Sequence, residues 1–114
     1  ELPKIKIFNT PLDKKKYGKN IYWVYGLVLK KNSPIKVKAF MKKLKNLGIE
    51  TRNFFWPLHQ QPIFKKMGLF KNIKLPVAEH LGKNGLYLPT GLGITASQQK
   101  YVINKVKKIF SKYL

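Results

Sequence analysis

The stretch "IYWVYGLVL", residues 21–29, constrains this chain more than any other. It is β-branched and aromatic almost throughout and carries no charge, which is the composition of a strand. Ile21, Trp23, Tyr25 and Leu27 would lie on one face, and Tyr22, Val24 and Val28 on the other. An antiparallel strand with one face in water alternates apolar and polar residues. This one does not, so both faces are expected to be covered. A chain of 114 residues barely supplies two covering layers. One face is therefore expected to meet something outside the chain and to show as an apolar patch around residues 21–29.

The remaining elements follow from spacing and punctuation. Residues 1–19 read as an extended lead-in, "LPKIKIF" followed by a loop with Pro11 and Gly18 as breakers. "NSPIKVKAFMKKLKNLG" reads as a helix over about residues 34–47, with Ser33 as cap, Pro34 in the first turn and Gly48 at the end. Val37, Phe40, Met41, Leu44 and Leu47 form its core stripe. A second strand is expected over residues 49–55, then a loop into a short helix after Pro62. Another short helix over "LPVAEHLGKNG", a brief "LYLP" strand and a "TGLGIT" turn follow. The last helix, about residues 95–113, opens on a capping box of Thr95 and Gln98 and buries Val102, Val106, Ile109, Phe110 and Tyr113. This order predicts an α/β two-layer sandwich (α+β): a small, mostly antiparallel sheet with helices mainly on one face.

Composition narrows the function. The formal net charge is +20, which raises the possibility of a stand-alone lysine-rich module for nucleic acid or another polyanion. All but one of the 24 basic residues are lysine, however, and reading base edges favours the planar fork of arginine. Polyanion binding is thus expected to be weak and non-specific. The lysines, with eight asparagines and many isoleucines, also look like the bias of an A/T-rich genome. Cysteine is absent, so neither disulfides nor thiolate metal sites can form. The N-terminus lacks a signal-peptide layout and no apolar run is long enough to span a membrane, so the expectation is a cytoplasmic protein.

Four carboxylates, Glu1, Asp13, Glu50 and Glu79, show no spacing that pairs them for acid–base work. With two histidines they make no metal site, and no phosphate-binding glycine loop is present. His80 sits inside a helix and reads as a surface or packing residue. The exception is "TRNFFWPLHQQPIF", residues 51–64, which gathers the lone Arg52 with Trp56, His59, Pro57 and Pro62. Proline-fixed loops of this kind often carry function. His59 is either a side chain aimed at a ligand or a hydrogen-bonded residue that holds the loop.

"GIETRNFFWPLHQQPIF", "LPVAEHL" and "GLYLPTGLGITASQQKYVINKV" together resemble the C-terminal part of the DegT/DnrJ/EryC1/StrS family, the PLP-dependent aminotransferases of nucleotide-linked keto-sugars. The likeness runs over about residues 20–110 and includes Gly48, Arg52, Phe55, Pro57, His59, Pro62, Glu79, Leu88, Pro89, Thr95 and Val102. The chain departs from the family pattern at Asn53, where proline is frequent, and at Phe64, where tyrosine is common.

The resemblance implies the small domain of a fold-type I PLP enzyme over residues 20–114, with residues 1–19 leading in from a missing N-terminal large domain. It further implies a cytoplasmic, homodimeric transferase of polysaccharide biosynthesis that moves an amino group, with glutamate as donor, to a nucleotide-linked keto-sugar. Arg52, Phe55, Trp56 and His59 would face the substrate. An arginine suits a diphosphate, and a histidine and aromatics suit sugar hydroxyls and ring faces. No catalytic, cofactor-binding or metal-binding residue is expected in this chain: the PLP lysine and its acidic partner belong to the large domain. The chain alone is expected to be inactive and to bind no PLP.

Overall fold

The computed structural model describes residues 2–113. A 3-10 turn over Leu2–Lys4 leads to β1 (Phe8–Asn9) and a small hairpin of β2 (Lys14–Lys15) and β3 (Gly18–Lys19). Then come β4 (Tyr25–Leu29), α1 (Val37–Lys45) and β5 (Arg52–Asn53). A 3-10 turn over Leu58–Gln60 precedes α2 (Pro62–Lys66) and α3 (Pro76–Asn84). The chain closes with β6 (Gly85–Leu88) and α4 (Ala96–Phe110), which ends in a 3-10 turn over Ser111–Tyr113.

The main sheet has the order β1-β4-β6-β5, and each neighbouring pair is antiparallel. Strand β4 pairs with β6 from Tyr25↔Leu88 to Val28↔Gly85. Alternation therefore puts Leu27, Leu29, Leu86 and Leu88 on one face. That face meets Val37, Phe40 and Leu44 of α1 and Val102, Val106, Ile109 and Phe110 of α4. Phe110 packs edge-on against Phe8 and tilted against Phe40, with centroids 5.6 and 4.9 Å apart. The α/β two-layer sandwich with helices mainly on one face is thus the observed architecture. The 1–19 segment is built into it: Leu2, Ile5 and Phe8 are core residues and β1 is an edge strand.

The second face of β4 is closed from within the chain, which corrects the expectation of an outside layer. Phe54 lies over both Gly26 and Gly85; a Cβ on Gly26 would stand 2.6 Å from its Cζ. Helix α3 borders β4 and β6 on the way past. The missing side chains of the two glycines make room for this aromatic ring.

The strand itself starts at Tyr25 rather than Ile21. Tyr22 adopts φ +52, its N–H donates to Asn20 Oδ1 at 2.7 Å, and its hydroxyl donates to Asp13 Oδ1 at 2.9 Å. A left-handed residue breaks the strand direction. Ile21 and Trp23 are left at 89% and 73% exposure, so the expected apolar patch exists at the entry to the strand and not along it.

The helix ends follow their local chemistry. Gln98 N–H donates to Thr95 Oγ1 at 3.2 Å and Thr95 N–H to Gln98 Oε1 at 2.9 Å, which completes the capping box of α4. Gly48, at φ +73, lets Ile49 N–H reach Leu44 O and its own N–H reach Lys45 O, satisfying the last carbonyls of α1. Two details differ from expectation. Ser33 Oγ donates to Ile35 O at 2.8 Å and does not cap α1, which begins at Val37. Tyr113 lies beyond the end of α4 and is exposed.

Candidate functional site

Residues 51–59 run from the sheet edge to the 3-10 turn, and each predicted site residue has a different situation. Arg52 lies on the edge strand β5, opposite Tyr87 of β6. Its side chain is exposed and, among the described residues, makes no ion pair. It lines a cleft of about 630 Å³ together with Lys42 and Lys45 of α1, Glu50, Tyr87 and Thr90. Three cations and one carboxylate give that cleft a positive balance suited to an anion.

Phe55 and Trp56 point outward, at 66% and 53% exposure. Phe55 stacks on Trp23 with centroids 6.2 Å apart and leans on Tyr87 at 6.2 Å. The exposed Trp23 thereby joins the loop, and Trp23, Phe55 and Tyr87 form an aromatic shelf next to the Arg52 strand. Trp56 is fixed by its own turn: its Nε1–H donates to Gln60 O at 3.3 Å, and Gln61 Nε2 donates to Trp56 O at 3.3 Å.

His59 is the residue that the structure takes away from the surface. It is 7% exposed and the buried polar residue of the fold among those described. Its Nε2 lies 2.9 Å from Glu79 Oε1, and the same oxygen accepts the Leu75 N–H at 3.0 Å. The hydrogen bond from His59, followed by that from Leu75, holds the Glu79 carboxyl below its ordinary range, against a smaller opposing effect of burial. The bond to Glu79 engages Nε2 of the His59 ring. His59 does not line the Arg52 cleft. Of the four predicted residues, Arg52 lines the basic cleft, Phe55 belongs to the aromatic shelf, Trp56 is held in its own turn, and His59 is buried against the half-exposed Glu79. His80 is half-buried on α3, where Asn84 Nδ2 approaches its Nδ1 at 3.0 Å.

Sequence reasoning missed Trp23, Tyr87, Lys42, Lys45 and Glu79 as members of this region. Strand pairing brings Tyr87 to Arg52, and the turn at Tyr22 brings Trp23 to Phe55. Neither leaves a periodic trace. Glu79 had one signal, its place in the "LPVAEHL" segment, but its partner is 20 residues away.

Among the described residues, no group of three or more His, Cys, Asp or Glu could hold a metal ion, and no helix is long and apolar enough to cross a membrane.

The model of the DegT/DnrJ/EryC1/StrS aminotransferase family matches residues 1–107. The GDP-perosamine synthase of Caulobacter vibrioides is 30% identical over 92 residues, which are 81% of this chain and 24% of that protein. The aminotransferase TlmJ of Streptoalloteichus hindustanus superposes with a TM-score of 0.80 at 20% identity, over 98% of this chain and 28% of that one. Helicobacter pylori PseC, an aminotransferase involved in the biosynthesis of pseudoaminic acid, gives 0.80 at 18% identity, over 95% and 28%. At such identities the structural likeness is one of fold. The chain spans about a quarter of the length of the curated relatives it matches.

Proposed function

The chain belongs to the DegT/DnrJ/EryC1/StrS aminotransferase family, and we propose that it acts as the C-terminal small domain of a PLP-dependent enzyme that aminates a nucleotide-linked keto-sugar. In this reading the enzyme is a cytoplasmic homodimer and glutamate is the amino donor. The chain supplies part of the substrate site, and a large N-terminal domain supplies the cofactor site.

Arg52 carries this reading. It is exposed and free of ion pairs among the described residues, in a cleft with Lys42 and Lys45 and beside the Trp23–Phe55–Tyr87 shelf. A guanidinium fork grips two oxygens of a diphosphate at once, and the lysines add point charge. The shelf offers flat apolar area to a base or to a sugar ring face. This arrangement binds and orients; none of its groups need change covalently.

The described residues do not fit the cofactor itself. The pyridine nitrogen of PLP calls for a paired acid. Asp13 accepts the Tyr22 hydroxyl in an exposed loop, Glu50 is exposed on the cleft rim, and Glu79 already receives two donors.

The test is amino transfer from glutamate to a nucleotide-linked keto-sugar by the complete polypeptide, wild type against Arg52→Lys. The substitution keeps the charge and loses the fork. It should raise KM about tenfold, the effect of one charge-assisted hydrogen bond, with kcat nearly unchanged. An unchanged KM would remove Arg52 from the substrate site, and no transfer by the wild type would remove the function.

A further inference from the structure

We infer that Glu79 is a positioning residue: it fixes His59 with the proton on Nε2 and so presents Nδ1 as an acceptor for a ligand hydroxyl. The inference rests, for the identity of that ligand, on the nucleotide-sugar reading above. Its structural part stands on the geometry alone.

Glu79 Oε1 lies 2.9 Å from His59 Nε2 and 3.0 Å from Leu75 N. A carboxylate has no proton to give, so the short contact to the ring requires an N–H on Nε2. In the neutral ring the other nitrogen, Nδ1, then carries a lone pair. Among the described residues Nδ1 has no hydrogen-bond partner, whereas no buried side-chain nitrogen or oxygen is left unsatisfied. Nδ1 must therefore reach the surface, although the His59 side chain as a whole is 5% exposed. A ring that is buried on nearly all sides, held at one nitrogen and open at the other is a fixed acceptor.

The second donor makes the hold rigid. Leu75 precedes the first turn of α3, and Glu79 reaches back from that helix to its N–H. The carboxylate is thus anchored to its own helix end before it meets the histidine. Pro57 and Pro62 bracket the His59 turn, and Gln60 N–H donates to Pro57 O at 2.9 Å. If Glu79 swings away, it gives up both hydrogen bonds at once. A ligand O–H of a sugar would find the acceptor already aimed and would not have to order it.

The tautomer is read directly by long-range ¹H–¹⁵N NMR of the imidazole in the labelled chain, at a pH where the ring is neutral. Wild type should show protonated Nε2 and unprotonated Nδ1. Glu79→Gln can keep an oxygen between Nε2 and Leu75 N, so it should preserve that spectrum. Glu79→Ala should give a mixture of tautomers. Protonated Nδ1 in the wild type, or an unchanged spectrum in Glu79→Ala, overturns the assignment.

In the complete polypeptide, Glu79→Ala should raise KM for the nucleotide-sugar about tenfold with kcat within about twofold, and Glu79→Gln should restore it. A Glu79→Ala enzyme with wild-type KM overturns the role of Nδ1 as a ligand acceptor. Failure of the wild type to transfer an amino group would instead overturn the proposed function and leave the tautomer result in place.

Discussion

Replacing Gly82 with alanine sets two calculable effects against each other at the point where α3 touches the site loop. Gly82 is buried in α3. Inside a helix, glycine to alanine is worth about 1 kcal/mol in favour of folding. The new Cβ, however, would stand 2.7 Å from Pro57 Cδ, 3.2 Å from Pro57 Cγ and 3.4 Å from the Phe55 carbonyl oxygen. Carbon atoms in good contact are about 3.5–4.0 Å apart, so the Pro57 ring must retreat by roughly 1 Å. A proline ring cannot turn aside as a flexible side chain can; its backbone moves with it. Overpacking of this kind costs about 1–3 kcal/mol. The net effect is a destabilisation of about 0–2 kcal/mol. At about 4 °C per kcal/mol for a domain near this size, Tm falls by up to roughly 8 °C. Thermal unfolding followed by circular dichroism measures the cost, and backbone amide shifts at Phe55, Trp56 and Leu58 report the displacement. A variant that melts several degrees higher than wild type, with those shifts unchanged, would refute the idea that α3 sets the position of the loop.

Thr95→Ala removes the capping box of α4 and should destabilise the chain by about 1 kcal/mol in urea unfolding. The pH dependence follows from Glu79, whose carboxyl is held below its ordinary value of 4.5 by His59 and Leu75. A depressed carboxylate contributes stability that is present above that ordinary value and is lost as pH falls through the folded-state value, so urea midpoints should drop below pH 4.5 and drop less in Glu79→Gln. Polyanion binding by a chain of net charge +20 should collapse as salt rises and show no sequence preference in a salt-titrated assay; tight selective binding at physiological salt would favour the nucleic-acid alternative.

Much of the fold was written locally. The Thr95–Gln98 box, the Gly48 turn and the stripes Val37–Phe40–Leu44 and Val102–Val106–Ile109–Phe110 depend on residues within one or two turns of each other. Spacing alone therefore determines them, and the order of elements gives the two-layer class. The "TRNFFWPLHQQPIF" segment was likewise conspicuous because rare residue types cluster in it.

Contacts between distant positions were decided only in three dimensions. Residues 21–24 have strand composition, yet the left-handed Tyr22, tied to Asn20 and Asp13, starts the strand at Tyr25. The two-sided apolar pattern of β4 meant coverage, but its cover on the second face is Phe54 seated over Gly26 and Gly85. The partner of His59 is Glu79, 20 residues on. The physical reason is the same in each case. Periodicity records which face of an element is buried, whereas the identity of the covering partner depends on how the chain returns upon itself, and that is fixed by packing.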